Sequence, residues 1–223
     1  AGMDIDAIKY TSVMLEEIDR LNKVADNLLY LAKPSKENYR YCNIIQLLDK
    51  VAAKALQAID KKVAILIQGS HAGLSILKDT DKAPVEIWMD SDRLERAFLN
   101  LIINAIQASP ENNPSLPSLP KGGFAGGTVA ITVAEYGDKV SVKITNNGSF
   151  ISPQDREQIF EPFYTTKGRG TGLGLAVAKH IISSHGGDIK VESSPEETSF
   201  IVELPHAYHS LNGRRHGEGV YRV

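Results

Sequence analysis

The stretch Lys167-Gly168-Arg169-Gly170-Thr171-Gly172-Leu173-Gly174-Leu175 runs from a loop directly into an apolar helical pattern. It restricts the fold more than any other segment of the chain. Glycines at alternate positions remove the side chains that would keep a polyphosphate away from backbone N–H groups, and the start of the helix adds a favourable dipole. Solvated linkers do not open apolar helices in this way. The spacing is neither that of a P-loop, which needs Gly-Lys-Ser/Thr after a strand, nor that of a dinucleotide fingerprint after a first strand. A fold containing it is expected to present a glycine-lined helix start to a polyphosphate.

Around this segment the patterning is mixed. In residues 4–32, Met14, Ile18, Leu21, Ala25, Leu28 and Ala32 recur at steps of 4, 3, 4, 3 and 4, a heptad seam that predicts one long amphipathic helix. Such a helix would be roughly 43 Å long at 1.5 Å per residue, more than one small core can cover. It reads better as half of a helical hairpin than as a core helix, and Pro34 ends it. Helices are predicted at 43–59, at about 92–108 with Asp90 or Ser91 as N-cap, and at 173–185. Strands are predicted at 62–68, 85–89, 128–135, 139–146, 188–193 and 198–204. Four prolines and four glycines make 110–127 a loop, and the residues after His206 read as a polar, frayed tail. Helices beside antiparallel strands predict an α+β class, as a two-layer α/β sandwich behind one long amphipathic helix.

Composition removes several alternatives. With 25 Lys and Arg against 27 Asp and Glu the net charge is −2, so no general attraction to nucleic acid or anionic membrane is expected. One cysteine, Cys42, excludes a disulfide framework and any multi-cysteine metal site, and it fits a reducing compartment. No apolar run approaches the ~18 residues that cross a bilayer, and no signal-peptide pattern is present. The expected setting is cytoplasmic, with no membrane contact by these residues, whether or not the full-length protein carries an anchor.

Two further segments carry chemistry. In the helix at 92–108, Asn100 and Asn104 lie one turn apart and project from one face, while Leu94, Ala97, Phe98, Leu101, Ile102 and Ala105 make the rest apolar. Amides buried there without partners would cost on the order of 1–3 kcal/mol each. Bonding to neighbouring backbone and oxygen ligation of a hard cation such as Mg²⁺ both answer that need. In Ile144-Thr145-Asn146-Asn147-Gly148 a strand runs into a glycine turn. A plain turn explains it, as does an acceptor that reads the amine of a buried base, with Gly148 letting the ring approach the backbone.

The order of the asparagine helix, the glycine turn, Phe160-Glu161-Pro162-Phe163-Tyr164-Thr165-Thr166-Lys167 and Gly170-Thr171-Gly172-Leu173-Gly174-Leu175 resembles the catalytic, ATP-binding domain of two-component sensor histidine kinases. That domain has the Bergerat fold of the ATPase superfamily shared with gyrase and MutL. The resemblance covers about residues 4–205 and is nearest to the nitrogen-regulation-type branch, with Gln107 at a position often glutamine there. Residues 12–34 resemble the second helix of the dimerisation and phosphoacceptor hairpin. The implied division is residues 1–34 as a hairpin fragment, 35–206 as the catalytic ATP-binding domain and 207–223 as the tail.

The resemblance implies ATP and Mg²⁺ as ligands. It makes Asn104 the metal-coordinating asparagine, with Asn100 one turn before it. Asn146 falls where the family has the aspartate that bonds the adenine amine, and Gly148 is the first glycine after it. Phe160 and Phe163 stand at the base of the ATP lid, Lys167 meets phosphate, and Gly168, Gly170, Thr171, Gly172, Leu173 and Gly174 lie along the phosphate path. Thr198 matches a threonine that helps hold the adenine site.

There are departures from the family. Asn146-Asn147-Gly148-Ser149-Phe150 replaces Asp-x-Gly-x-Gly, losing a charge-assisted bond and a permissive glycine. The phosphoacceptor histidine is absent as well. His71, His180, His185, His206, His209 and His216 are followed by Ala, Ile, Gly, Ala, Ser and Gly, where the motif needs an acid, and they read as surface or helix-end histidines.

The expectation is therefore an ATP-dependent protein-histidine kinase domain with no catalytic nucleophile of its own. It would serve a histidine outside these residues and, through that histidine, a response regulator receiver domain. A homodimer through residues 5–32 is expected from the apolar seam. The alternatives are a nucleotide-binding pseudokinase that only recognises partners, and another ATPase of the superfamily. Against the latter, Asn100 stands where such enzymes carry a catalytic glutamate.

Overall fold

The structure, a computed structural model, describes residues 2–32, 38–59, 63–68, 85–109, 127–167 and 170–206. In chain order these form α1 (Gly2–Ala32), β1 (Arg40–Asn43), α2 (Ile44–Ala58), β2 (Val63–Gln68), β3 (Glu86–Met89), α3 (Ser91–Ala108), β4 (Gly127–Tyr136), β5 (Lys139–Asn146), α4 (Asp155–Gln158), α5 (Gly174–Ser184), β6 (Asp188–Ser193) and β7 (Thr198–Pro205). Nearly all of the loop at 110–127 and the whole tail at 207–223 lie outside the described residues, as do Gly168, His71, His209 and His216.

Local chemistry sets the helix starts. Asn43 caps α2, its side-chain oxygen accepting from the N–H groups of Ile45 and Gln46. Asp90 caps α3, accepting from Arg93 N–H at 3.2 Å, and Ser91 is already helical. The cap leaves one carboxylate oxygen over, and that oxygen accepts Asn38 N–H at 3.0 Å. Each such cap contributes about 1 kcal/mol by satisfying donors the helix cannot.

The main sheet has the order β2-β4-β5-β7-β6, and β1 and β3 form a separate antiparallel pair. Alternate residues of β5, namely Val140, Val142, Ile144 and Asn146, are buried on one face of the sheet, beside Val129 and Ile131 of β4 and Phe200, Val202 and Leu204 of β7. Leu94, Phe98, Leu101, Ile102 and Ile106 of α3 and Val177, Ile181 and Ile182 of α5 belong to the same core, so a helical layer covers that face. The result is the two-layer α+β sandwich expected from the patterning.

Three details differ from the sequence reading. The sheet is mixed, because β2 runs parallel to β4 while the other pairs are antiparallel. A strand's own alternation carries no direction, and the connection from β2 to β4 passes through α3, the kind of crossover a parallel pair requires. β1 and the one-turn α4 lack a sequence signal of their own. His185, expected at a helix end, does lie at the end of α5, but it is buried, whereas His180 is exposed. Its Nδ1 lies 2.8 Å from Ile181 O while Nε2 accepts Asp90 N–H at 3.2 Å, so Nδ1 carries the ring proton and donates it.

The long helix α1 stands apart from this core over most of its length. Met14, Ile18, Leu21 and Leu28 of the seam are all exposed, with Ile8, Val13, Leu15 and Leu29 beside them. Only its last turns dock. Tyr30 Oη accepts Arg93 Nε–H at 2.7 Å, Arg96 stacks over the Tyr30 ring at 4.5 Å, and Arg96 also donates to Asn27 Oδ1 at 2.8 Å. None of the described helices is long and apolar enough to cross a membrane.

Candidate functional site

Three structural ends converge: the C-terminal half of α3, the end of β5 and the start of α5. α3 supplies the amides. Asn100 and Asn104 are half-buried, on the face not filled by the core positions of the helix. Asn100 lies against the start of α5: a Cβ on Gly174 would sit 3.7 Å from its Cγ, and its Nδ2 is buried without a hydrogen-bond partner. Asn104 Oδ1 accepts a bond of 2.6 Å from Lys167 Nζ, and Gln107 Oε1 accepts from the same ammonium at 3.1 Å. Two amide oxygens, three residues apart on one helix face, thus already gather round a positive charge.

The end of β5 supplies Asn146, which is 1 % exposed. It pairs in register with Val129 of β4 and Thr198 of β7, yet neither its Oδ1 nor its Nδ2 has a partner in the protein. Buried polar groups are almost always bonded, so an orphaned amide at a strand end marks a place for a ligand or water. Gly148 is required by close approach: a Cβ there would fall 2.2 Å from Ala108 O and 2.5 Å from Asn146 Nδ2. Any side chain would push the turn off the end of α3.

Thr198 is buried, and its hydroxyl donates to Ser149 O at 3.0 Å. With its one proton used, it must accept from Ser193 Oγ, 2.6 Å away, and Ser193 in turn accepts Ile151 N–H at 2.9 Å. This relay of hydroxyls pins the segment after Asn146. Ser193 was missed from sequence because a serine at a strand end has no pattern. Gln107 could have been found, since it lies three residues beyond Asn104 and so on the same helix face.

The glycine-rich segment follows. Phe163 N–H donates to Gly172 O at 2.9 Å, and Phe163 (φ 69°) and Gly172 (φ 67°) both have left-handed backbone. For glycine this costs nothing, whereas for phenylalanine it stores strain. A Cβ on Gly172 would lie 2.4 Å from the Phe163 carbonyl carbon, and one on Gly170 would lie 2.4 Å from Thr165 Oγ1. Gly172 is therefore required by the backbone beside it, whereas a side chain at Gly170 would have to displace the Thr165 hydroxyl. Leu173 is fully buried, so only its backbone is available to a ligand, and Thr171 is half-buried. The first turn of α5, from Gly174, has no side-chain cap. Its N–H groups suit an anion.

The two phenylalanines separate. Phe160 is a core residue, edge-on to Phe200 at 6.4 Å with Lys179 Nζ 5.4 Å from its ring centre, whereas Phe163 is 60 % exposed. Next to Phe163, Tyr164 donates to Asp155 Oδ1 at 2.6 Å and Ser152 to Asp155 Oδ2 at 2.7 Å. These bonds, the tyrosine's first, hold the Asp155 carboxyl below the usual aspartate value, and the same bond raises the Tyr164 phenol.

The donor set also fits a hard divalent cation. Asn104 and Gln107 present carbonyl oxygens, hard donors of the kind Mg²⁺ accepts, to the cationic end of Lys167.

Known proteins resemble this chain in sequence and fold. The family described as histidine kinase-, DNA gyrase B-, and HSP90-like ATPase matches residues 89–208. Sensor histidine kinase ZraS of Escherichia coli (strain K12) is 32% identical over 201 residues, which is 90% of this chain and 38% of ZraS. The sensory histidine kinase/phosphatase NtrB of Vibrio alginolyticus is 32% identical over 207 residues, 91% of this chain and 53% of NtrB. Among solved structures, the histidine kinase ThkA in complex with response regulator protein TrrA superposes with a TM-score of 0.68 at 25% identity, covering 91% of this chain and 52% of that one. The chain thus spans well under two thirds of these relatives. Its fold, its matched segment from Met89 onward and its named relatives agree: the chain belongs to the histidine kinase-, DNA gyrase B- and HSP90-like ATPases.

Proposed function

We propose that this chain is the ATP-binding kinase part of a two-component sensor histidine kinase. Residues 1–34 would be the second helix of its dimerisation hairpin, 35–206 its catalytic domain and 207–223 a tail. The observation that carries this reading is the cross-link from Lys167, ahead of the glycine-rich segment, to Asn104 and Gln107 on α3. It joins two amide oxygens of α3 to an ammonium on the segment that leads into α5.

Each group has a part. Asn146 at the end of β5 meets the base, and the Thr198–Ser193 relay keeps its turn in place. The backbone N–H groups from Gly170 to Gly174 and the dipole of α5 take the phosphates, with Thr171 on the same path. With nucleotide bound, Lys167 would bond the terminal phosphate, and Asn104, with Asn100 one turn away, would hold the metal. Phe163 and the buried Phe160 anchor the base of the lid. Bound Mg²⁺ supplies charge neutralisation on the phosphate oxygens. The chain's own contribution to transfer is positioning and charge complementarity.

The acceptor is a histidine outside these residues. Its nitrogen forms a bond to the γ-phosphorus as the bond to the β-phosphate oxygen breaks and ADP leaves. From that histidine the phosphoryl passes to a response regulator receiver domain. The apolar seam exposed on α1 supports self-association through residues 5–32. The expected location is cytoplasmic. A scaffold that binds nucleotide without transfer is the second reading, favoured by Asn146 and Phe150 in place of family residues.

Calorimetric titration with ATP, with and without Mg²⁺, tests the proposal. Binding that strengthens with Mg²⁺ in the parent chain, and loses that dependence in Asn104→Ala, is expected. No ATP binding in the parent would overturn it.

A further inference from the structure

Asn146 carries more information than an acceptor would need. Its amide is 1 % exposed, and both ends, the carbonyl Oδ1 and the Nδ2 amine, lack protein partners. A site that only accepted a hydrogen bond from a base amine would leave the Nδ2 donor buried and unused, a costly arrangement. Nor does any neighbour choose which end points where. The Thr198 hydroxyl is committed to Ser149 O and Ser193, and Val129, opposite on β4, offers only an apolar side chain. The missing side chain of Gly148 keeps the space beside Nδ2 open.

We infer that Asn146 makes the base site tolerant at purine position 6, so that it accepts 6-oxo purines such as hypoxanthine nearly as well as adenine. This rests on the nucleotide-binding reading above. Adenine presents an N6–H donor beside the N1 acceptor. The amide answers with Oδ1 accepting from N6–H and Nδ2 donating to N1, a paired donor–acceptor match of the kind asparagine makes to the N6/N7 edge of adenine. Hypoxanthine presents the reverse, an O6 acceptor beside an N1–H donor. A half-turn about the last side-chain torsion puts Nδ2 against O6 and Oδ1 against N1–H, with the same two bonds made. A carboxylate has acceptors at both ends and no such alternative. It accepts from N6–H but faces O6 with like charge. Exchanging a carboxylate for an amide at this point therefore removes the feature that would reject a 6-oxo base.

The test is calorimetric titration with ADP and with inosine diphosphate, both in excess Mg²⁺, on the parent chain, Asn146→Asp and Asn146→Ser. The expected parent affinities lie within about tenfold of each other, and Asn146→Asp should open the preference for ADP to about a hundredfold, as sites that mismatch a buried hydrogen-bonding group do. Asn146→Ser, which removes both ends without burying a charge, should weaken both ligands by similar factors. ADP binding with inosine diphosphate a hundredfold weaker in the parent would overturn the inference and leave the kinase reading standing. So would an Asn146→Ser chain that loses affinity for ADP alone. Failure of the parent to bind either diphosphate would overturn the nucleotide-binding reading itself and this inference with it.

Discussion

Lys167 Nζ bonds Asn104 Oδ1 at 2.6 Å and Gln107 Oε1 at 3.1 Å, joining residues 60 and more positions apart across the mouth of the site. The Lys167 ammonium thereby ties the glycine-rich segment to α3.

Replacing that ammonium should free the segment. Lys167→Met is expected to speed amide hydrogen exchange at residues 170–172 in the nucleotide-free protein while leaving α3 protected. It should also weaken ATP·Mg²⁺ binding by roughly tenfold, the worth of one charge-assisted bond. Exchange read by mass spectrometry, with unchanged protection in 170–172, would contradict the tie.

Gly148→Ala tests the close approach of the turn to α3. A Cβ 2.2 Å from Ala108 O cannot be absorbed by a rotamer change, because the obstacle is backbone. The expected cost is about 2–3 kcal/mol of stability, with nucleotide binding lost. Chemical denaturation measures the first and calorimetry the second.

Phe163→Gly should have the opposite sign. The phenylalanine has φ 69° and its ring is exposed, so the substitution relieves backbone strain while giving up little packing. A gain of about 1 kcal/mol is expected by thermal unfolding. A clear loss would show that the exposed ring stabilises the segment.

The Tyr164–Asp155 bond predicts a pH dependence on both sides of neutrality. Asp155 ionises more readily in the folded chain, so its contribution is whole above the ordinary aspartate value of 3.8 and is lost as pH falls through the lowered folded value. The Tyr164 phenol is raised, so its contribution is whole below the ordinary 10.0 and is lost as pH rises through the folded value. Tyr164→Phe should lower the melting temperature on the plateau between these limits. It should also shrink the losses at both ends, which melting curves across pH will show.

Much of the molecule was legible one residue at a time. The heptad steps of Met14 to Leu28, the Asp90 cap, the alternation through Val140, Val142 and Ile144, and the glycines leading to Leu175 each express a local rule, and α1, α3, β5 and α5 form where those rules place them. Residue type alone left Asn104 and Asn146 open between structural and ligand roles, and only the order of the motifs, through the family resemblance, singled them out as candidate ligand groups. The tertiary structure decided what depends on distant partners. β2 runs parallel to β4 because the chain crosses over through α3. Phe160 and Phe163, separated by Glu161 and Pro162, part into core and solvent because the backbone turns left-handed at the second. Ser193 reaches the turn after Asn146 only because β6 lies beside β7, and Gln107 and Asn104 share a cation only because the segment at Lys167 folds back over α3. Periodicity and capping act within a few residues of the chain, whereas a hydrogen bond across some sixty residues is selected by packing, to which no local pattern answers.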